Sequence, residues 1–327
     1  MKKKWMMLIA VFAVLTILFV TGCKEDPGDP SERAFRILID YMDNNEMSIT
    51  DLLNGWIIAP DSLIQVMDDH YLMDIRTSDK HGATVADPAD SLADYYNGHI
   101  AGAVLSSLGD IVVDAAPADK PIVVVCYTGQ AASHAVMALR LSGYPDAQVL
   151  KWGMSGWNGD FDLWTGNCAQ LNHANWIAAP GDIAATEEFG CPGIDTDLLE
   201  GAAILDERVS VMLAGGFIGI SAENDDNDGV LDDPSLYFIN NFWDDEDVED
   251  YGNIVGAYRI KPLILDNLDP DATVVTYCWT GQTSSMITAY LNLLGYDAKS
   301  LKFGVNGIIH DDLDSHKWSG SEDYPYE

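Results

Sequence analysis

The feature that most constrains this chain is an internal repetition. The stretch Cys126-Tyr127-Thr128-Gly129-Gln130-Ala131-Ala132-Ser133 returns 152 residues later as Cys278-Trp279-Thr280-Gly281-Gln282-Thr283-Ser284-Ser285. Each copy follows a short apolar run rich in β-branched residues (122–125 and 273–277) and precedes a run with helical spacing of apolar residues (133–141 and 284–294). Both helical runs stop at a Gly-Tyr pair, Gly143-Tyr144 and Gly295-Tyr296, where glycine suits a left-handed cap. Further strands are expected at 148–151 and 300–303. Upstream, Trp56-Ile57-Ile58-Ala59-Pro60 pairs with Trp176-Ile177-Ala178-Ala179-Pro180, and Asp74-Ile75-Arg76 with Asp206-Glu207-Arg208. Ile100-Ala101-Gly102-Ala103 pairs with Ile254-Val255-Gly256-Ala257. Runs 71–75 and 202–206 read as buried strands. The drifting offset implies one architecture with different insertions. The fold class is α/β, with two domains that are each an open, mainly parallel sheet flanked by helices. Sites in such sheets lie at the carboxyl ends of strands, where both cysteines fall.

The remaining chain fixes compartment and exclusions. Lys2, Lys3 and Lys4 precede an apolar stretch, 6–20, that is short for a membrane span. Val20-Thr21-Gly22-Cys23 resembles the lipobox of bacterial lipoproteins. That implies a signal peptide over 1–22, lipidation at Cys23, and a protein exported and lipid-anchored on the periplasmic or cell-surface side of a bacterial membrane. Residues 23–50 read as the lipidated cysteine and a tether, 51–165 as the first domain and 166–320 as the second. A net charge of −35 excludes nucleic acid and anionic membrane surfaces as partners, so contact with the membrane is through the anchor alone. In an oxidising exterior Cys168 and Cys191 are a disulfide candidate.

A cysteine directly after a buried strand, followed by a glycine-containing turn and a helix, is surrounded by main-chain N–H groups and the positive helix end. That setting is expected to lower the thiol pKa and to hold an anion beside the sulfur. With Asp74-Ile75-Arg76, Gly98-His99-Ile100-Ala101-Gly102-Ala103 and Gly153-Met154-Ser155-Gly156-Trp157, the chain resembles a tandem rhodanese over 51–165 and 172–320. The resemblance implies a sulfurtransferase in which Cys126 and Cys278 are nucleophiles. Tyr127, Thr128, Gly129, Gln130 and Ala131 would supply one backbone cradle, and Trp279, Thr280, Gly281, Gln282 and Thr283 the other. Its partners would be a small sulfur-containing anion or persulfide donor and a thiol or cyanide acceptor, and no metal or organic cofactor is required. The alternative is a non-catalytic rhodanese-like binding or sulfur-sensing module. Neither loop holds the Arg or Lys common in thiosulfate-active members, nor the phosphate-clamping arginine of the related cysteine phosphatases.

Arg76 and Arg208 are expected to anchor loops, His99 to be a hydrogen-bonded packing residue with Asn253 in its place in the second copy, and Trp152, Trp157 and Trp176 to be core aromatics. Residues 223–250 hold 12 Asp or Glu and no Lys or Arg, and read as a solvated acidic insertion. Within it Asn224, Asp226, Asp228 and Asp232, with Gly229 at the turn, approximate a calcium loop, although Ser235 replaces the usual terminal glutamate.

Overall fold

The computed structural model describes residues 29–77 and 94–327. Two helices, α1 (Pro30–Asn44) and α2 (Ile49–Leu52), precede the first sheet unit. That unit comprises β1 (Ile57–Ile58), α3 (Pro60–Val66), β2 (Tyr71–Asp74), β3 (Val104–Leu105), α4 (Ile111–Asp114), β4 (Ile122–Val125), α5 (Gln130–Leu141), β5 (Gln148–Leu150) and α6 (Gly153–Trp157). The second contains β6 (Trp176–Ile177), α7 (Gly201–Gly215), β7 (Gly219–Ile220), β8 (Phe238–Asn241), α8 (Asp245–Tyr251), β9 (Asn253–Ile254), β10 (Tyr258–Arg259), β11 (Val274–Tyr277), α9 (Gln282–Leu293) and β12 (Ala298–Leu301).

The first sheet runs β1-β5-β4-β2-β3 and the second β7-β12-β11-β8-β10, with every neighbour parallel. Position for position these are one topology, so the repetition is structural. The centre of each sheet is a fully buried strand, β4 or β11, whose β-branched residues suit a sheet covered on both faces. Alternation along β4 sends Ile122 and Val124 into a core shared by both units, and Val123 and Val125 into a core of the first unit alone. The shared core joins α1, α5, α7 and α9, and α5 packs directly on α9.

Several expectations need correction. Residues 202–206 lie in α7: its Ala, Leu, Glu and Arg favour helix, and Ile204, Leu205, Val209, Met212 and Leu213 form a buried stripe at helical spacing. The β-register gives the true counterparts. Asp74 pairs with Val125 as Asn241 pairs with Tyr277, so Asn241 stands where Asp74 stands, and Trp243 where Arg76 stands. Likewise β7 is the counterpart of β1, whereas β6 pairs antiparallel with β9 in a separate ribbon. The 223–250 segment is more than a surface insertion, because β8, buried beside the cysteine strand, lies inside it together with α8. The tether over 23–50 is already helical from Pro30, with proline at the first turn and Asp29 accepting from the Ser31 N–H at 2.8 Å. Cys23 and the segment before it lie outside the described residues. Among the described residues no helix is long and apolar enough to cross a membrane.

The segment after Trp318 returns to the first unit. Glu327 and His99 exchange main-chain hydrogen bonds at 2.8 and 2.9 Å, Tyr324 N–H donates to the Trp157 carbonyl at 2.9 Å, and the Trp157 indole donates to the Pro325 carbonyl at 2.9 Å. Tyr326 packs on Phe161 and donates to Asp160 at 2.7 Å.

Candidate active site

Each cysteine follows its central strand directly, and the glycine three residues on takes a left-handed φ, 83° at Gly129 and 74° at Gly281, that turns the chain into α5 or α9. A residue with a Cβ would be strained there. The turn aims main-chain N–H groups at the sulfur: Gly129 and Ala132 donate to Cys126 Sγ at 3.1 and 3.3 Å, and Ser284 donates to Cys278 Sγ at 3.3 Å. Ala132 and Ser284 lie one residue beyond the stretches expected to form the cradles. Both cysteines are only 2% exposed.

The surroundings of the two sulfurs differ. Beside Cys126, Asp74 and Arg76 form a fully buried pair at 2.6 Å, and Arg76 also donates to the Gly98 carbonyl at 2.6 Å. Contrary to the expected lowering, burial pushes the Cys126 thiol pKa up and the nearby Asp74 carboxylate adds to it, overcoming the Ala132, Thr128 and Gly129 N–H groups that favour the thiolate. In the second unit the neutral Asn241 replaces that carboxylate. A hydroxyl chain replaces apolar neighbours as well: Cys278 Sγ contacts Ser284 Oγ at 3.5 Å, Ser284 contacts Ser300 Oγ at 2.8 Å, and Ser300 donates to the Gly281 carbonyl at 3.3 Å. The corresponding positions in the first unit are Ala132 and Val149. A serine hydroxyl that accepts from a thiol can rotate to donate to a thiolate.

The ring of Trp279 stacks between Trp243, 4.3 Å away, and His316, 5.3 Å away, with Tyr251 edge-on at 5.2 Å. The side chains of Gln130 and Gln282, whose backbone is expected in the cradles, reach to the opposite unit. Gln130 Oε1 accepts from Phe303 N–H at 2.8 Å, and Ser285 Oγ donates to the Gln130 carbonyl at 2.7 Å. The Gln282 side-chain amide lies against Gly129, buried and without a hydrogen-bond partner among the described residues. The loops therefore meet back to back across the unit boundary. Tyr127, Thr128 and Ala131 stay on the Cys126 turn; Trp279, Thr280 and Thr283 stay on that of Cys278.

The other expected residues sort as follows. Arg208 donates to the Leu293 and Asn292 carbonyls at 2.8 Å each and closes the end of α9. His99 stacks on Tyr95 at 3.9 Å, and Asn253 is buried and hydrogen-bonded to the Asp182 backbone. Trp157 is fully buried, while Trp152 and Trp176 are half-buried. Cys168 is a free thiol, so the Cys168–Cys191 bridge is not formed: Cys168 sits after the Thr165–Asn167 turn, hydrogen-bonded to Trp164, whereas Cys191 packs against the shared core. Burial, with Asp162 nearby, leaves the Cys168 thiol pushed up to about 12. The acidic loop is closed by its own bonds, Asn224 Oδ1 accepting from the Asp226 and Asp228 N–H groups at 3.1 Å and Asp232 accepting from Gly229 at 2.9 Å. Among the described residues no three His, Cys, Asp or Glu side chains gather into a metal-holding group. Asn241 and Trp243 escape the motif spacing because the Asp-x-Arg match at 206–208 falls in α7, and Ser284, Ser300 and His316 show their roles only through their contacts.

Residues 59–160 match the family model of the Rhodanese-like domain, and the second unit repeats its strand order and its cysteine turn. Residues 59–160 thus match a Rhodanese-like domain, and the second unit is its structural repeat. Similar solved structures include a thiosulfate sulfurtransferase from Pseudomonas aeruginosa (15% identity, 90% of this chain and 48% of that one, TM-score 0.27). A 3-mercaptopyruvate sulfotransferase from Escherichia coli is similar too (16% identity, 81% and 100%, TM-score 0.27). So is a 3-mercaptopyruvate sulfurtransferase from Leishmania major (12% identity, 82% and 74%, TM-score 0.28). No curated protein matches the chain. Each unit thus presents one cysteine at the head of a helix, and the two cysteines differ in the polarity around them.

Proposed function

We propose that this tandem rhodanese-like protein is a sulfurtransferase that moves sulfane sulfur through a cysteine persulfide, with Cys278 the more reactive nucleophile. The observation that carries the reading is the main-chain N–H donation to each sulfur at a helix start, from Gly129 and Ala132 to Cys126 and from Ser284 to Cys278, which suits the anionic outer sulfur of a persulfide. The Cys278 thiolate attacks the outer sulfur of a thiosulfate- or polysulfide-type donor, and a thiol or cyanide acceptor then removes that sulfur. The reaction needs no metal or organic cofactor. Cys278 leads because its neighbours are hydroxyls and the neutral Asn241, where Cys126 has Ala132 and Asp74. We further propose export and lipid anchoring through Cys23, on the strength of the lipobox-like Val20-Thr21-Gly22-Cys23.

The near-complete burial of both sulfurs favours a second reading, a sulfur-sensing or binding module without turnover. Incubating the full chain with thiosulfate or polysulfide and mapping peptides by mass separates the two. One added sulfur is expected on Cys278 first, and Cys278→Ser should abolish most transfer while Cys126→Ser leaves most of it. Failure of every sulfane donor to load either cysteine would leave the binding module as the reading.

A further inference from the structure

An anionic donor needs a cation, and neither loop carries one. Near the Cys278 turn, a cation of the other unit acts on His316, whose ring stacks on Trp279. Lys151 follows β5 of the first unit, and its N–H donates to the Ile58 carbonyl at 2.8 Å, which fixes the backbone beside the sheet. Its side chain is half-buried with Nζ 5.2 Å from the Trp152 ring centroid, and no carboxylate pairs with it among the described residues. Trp152 meets Trp318 at 5.5 Å, two residues beyond His316. His316 holds a left-handed φ of 50°, a conformation that non-glycine residues seldom adopt unless the surroundings impose it. The constraint is Asn306, fully buried, whose amide donates to the His316 carbonyl at 2.9 Å and to the Trp279 carbonyl at 2.7 Å. One side chain thus ties the His316 segment to the cysteine turn, and the imidazole stacks on Trp279, the residue directly after Cys278.

Burial, then Lys151 and Lys261, hold the His316 imidazole below the ordinary histidine range, with Asp247 acting the other way, so at pH 7 it is a neutral hydrogen-bonding group. Lys261 is paired with Asp244 at 2.8 Å and Arg259 with Asp245 at 2.7 Å, whereas Lys151 forms no ion pair among the described residues, although the Asp61 carboxylate acts on it from a distance. At Cys126 the charge acting on the sulfur is the Asp74 carboxylate, and Arg76 is committed to it.

We propose that Lys151, reaching from the first unit, and His316, on the second, hold the anionic end of a small sulfur donor beside Trp279, so that Cys278 is the thiosulfate-type site and is complete only with both units present. The assignment rests on the sulfurtransferase reading. With thiosulfate the Cys278 thiolate attacks the outer sulfur, the donor's S–S bond breaks, sulfite leaves with the bonding electron pair, and the new S–S bond ends in an anionic persulfide sulfur that stays on the cysteine.

A probe independent of sulfur transfer is the alkylation of Cys278 in the full chain by anionic iodoacetate and by neutral iodoacetamide, followed peptide by peptide. Removing one nearby positive charge in Lys151→Gln should slow iodoacetate about fivefold while iodoacetamide changes by less than about twofold, with Lys151→Arg retaining the preference. The thiosulfate concentration that half-loads Cys278 should rise in parallel, and His316→Ala should raise it without altering the iodoacetamide rate. Equal loss with both reagents would mark a packing effect and overturn the proposal, as would unchanged selectivity or preferential loading of Cys126 by thiosulfate. Charge selectivity at Cys278 without persulfide from any donor would keep the anion site and remove the sulfurtransferase reading.

Discussion

A Cβ at Gly281 would meet Gln130 Oε1 at 2.5 Å, the Leu301 carbonyl at 3.0 Å and the Phe303 nitrogen at 3.0 Å, on a backbone with φ of 74°. Because two of those neighbours are main chain, they cannot step aside. Gly281→Ala should therefore cost about 2–4 kcal/mol of stability, from the left-handed strain and the clash together, measured as a lowered denaturant midpoint. An unshifted midpoint would show that the turn relaxes and that the cradle is not rigid. The cysteines, their glycines and the helices after them were legible in the sequence, because turn chemistry is local. The direction of the Cys126 pKa was not. It is decided by burial and by Asp74 on a neighbouring strand, which no motif spacing reports. The reach of the Gln130 and Gln282 side chains was not legible for the same reason, since their neighbours belong to the other unit.

At the level of elements, the parallel sheets and the strands that carry the cysteines followed from apolar runs of β-branched residues. The second copy's early elements did not. Ala202 to Asp206 is an apolar run that periodicity alone cannot divide between strand and helix, and the true strand, β8, reads Phe-Ile-Asn-Asn inside an acidic stretch. Buried asparagines hid it. On α5, His134 is fully buried beside α7 with neither ring nitrogen in hydrogen-bonding geometry, and burial, only partly offset by the nearby Met212 backbone, lowers its pKa to about 4 from 6.5. Between those values the unfolded chain binds a proton that the folded one refuses. Stability from this residue is therefore full above pH 6.5 and falls as the pH drops towards 4, by about 3 kcal/mol. Urea titrations from pH 7.5 to 4 should show this slope in the native protein and a shallower one in His134→Leu; parallel curves would remove His134 as the cause.

On the scale of the whole molecule, the units are fastened at both ends. Helix α1, ahead of the first unit, packs on α7 of the second, where Tyr41 fills the space beside Gly201. Residues after Trp318, beyond the second unit's last strand, lie on the first unit and satisfy the Trp157 indole and the His99 backbone. Deleting residues 321–327 leaves those buried groups without partners and should lower the thermal midpoint by about 5–10 °C, read by near-ultraviolet circular dichroism. A midpoint unchanged by the deletion would make the segment a passive covering. None of this is legible in the sequence: residues 30–50 read as a tether and the far segment carries no motif, since the partners lie far along the chain, 168 residues apart for Trp157 and Pro325.

The crossed glutamines give this architecture a history as well as a shape. A duplicated domain ordinarily drifts towards independence, free to be lost, fused elsewhere or expressed by itself. Here Gln130 is a foothold for the backbone at Phe303, and the Gln282 amide fills the space behind Gly129. Two half-genes made from this chain would yield polypeptides that each lack the glutamine backing the other's turn, a tie that holds the copies together while their cysteine surroundings differ.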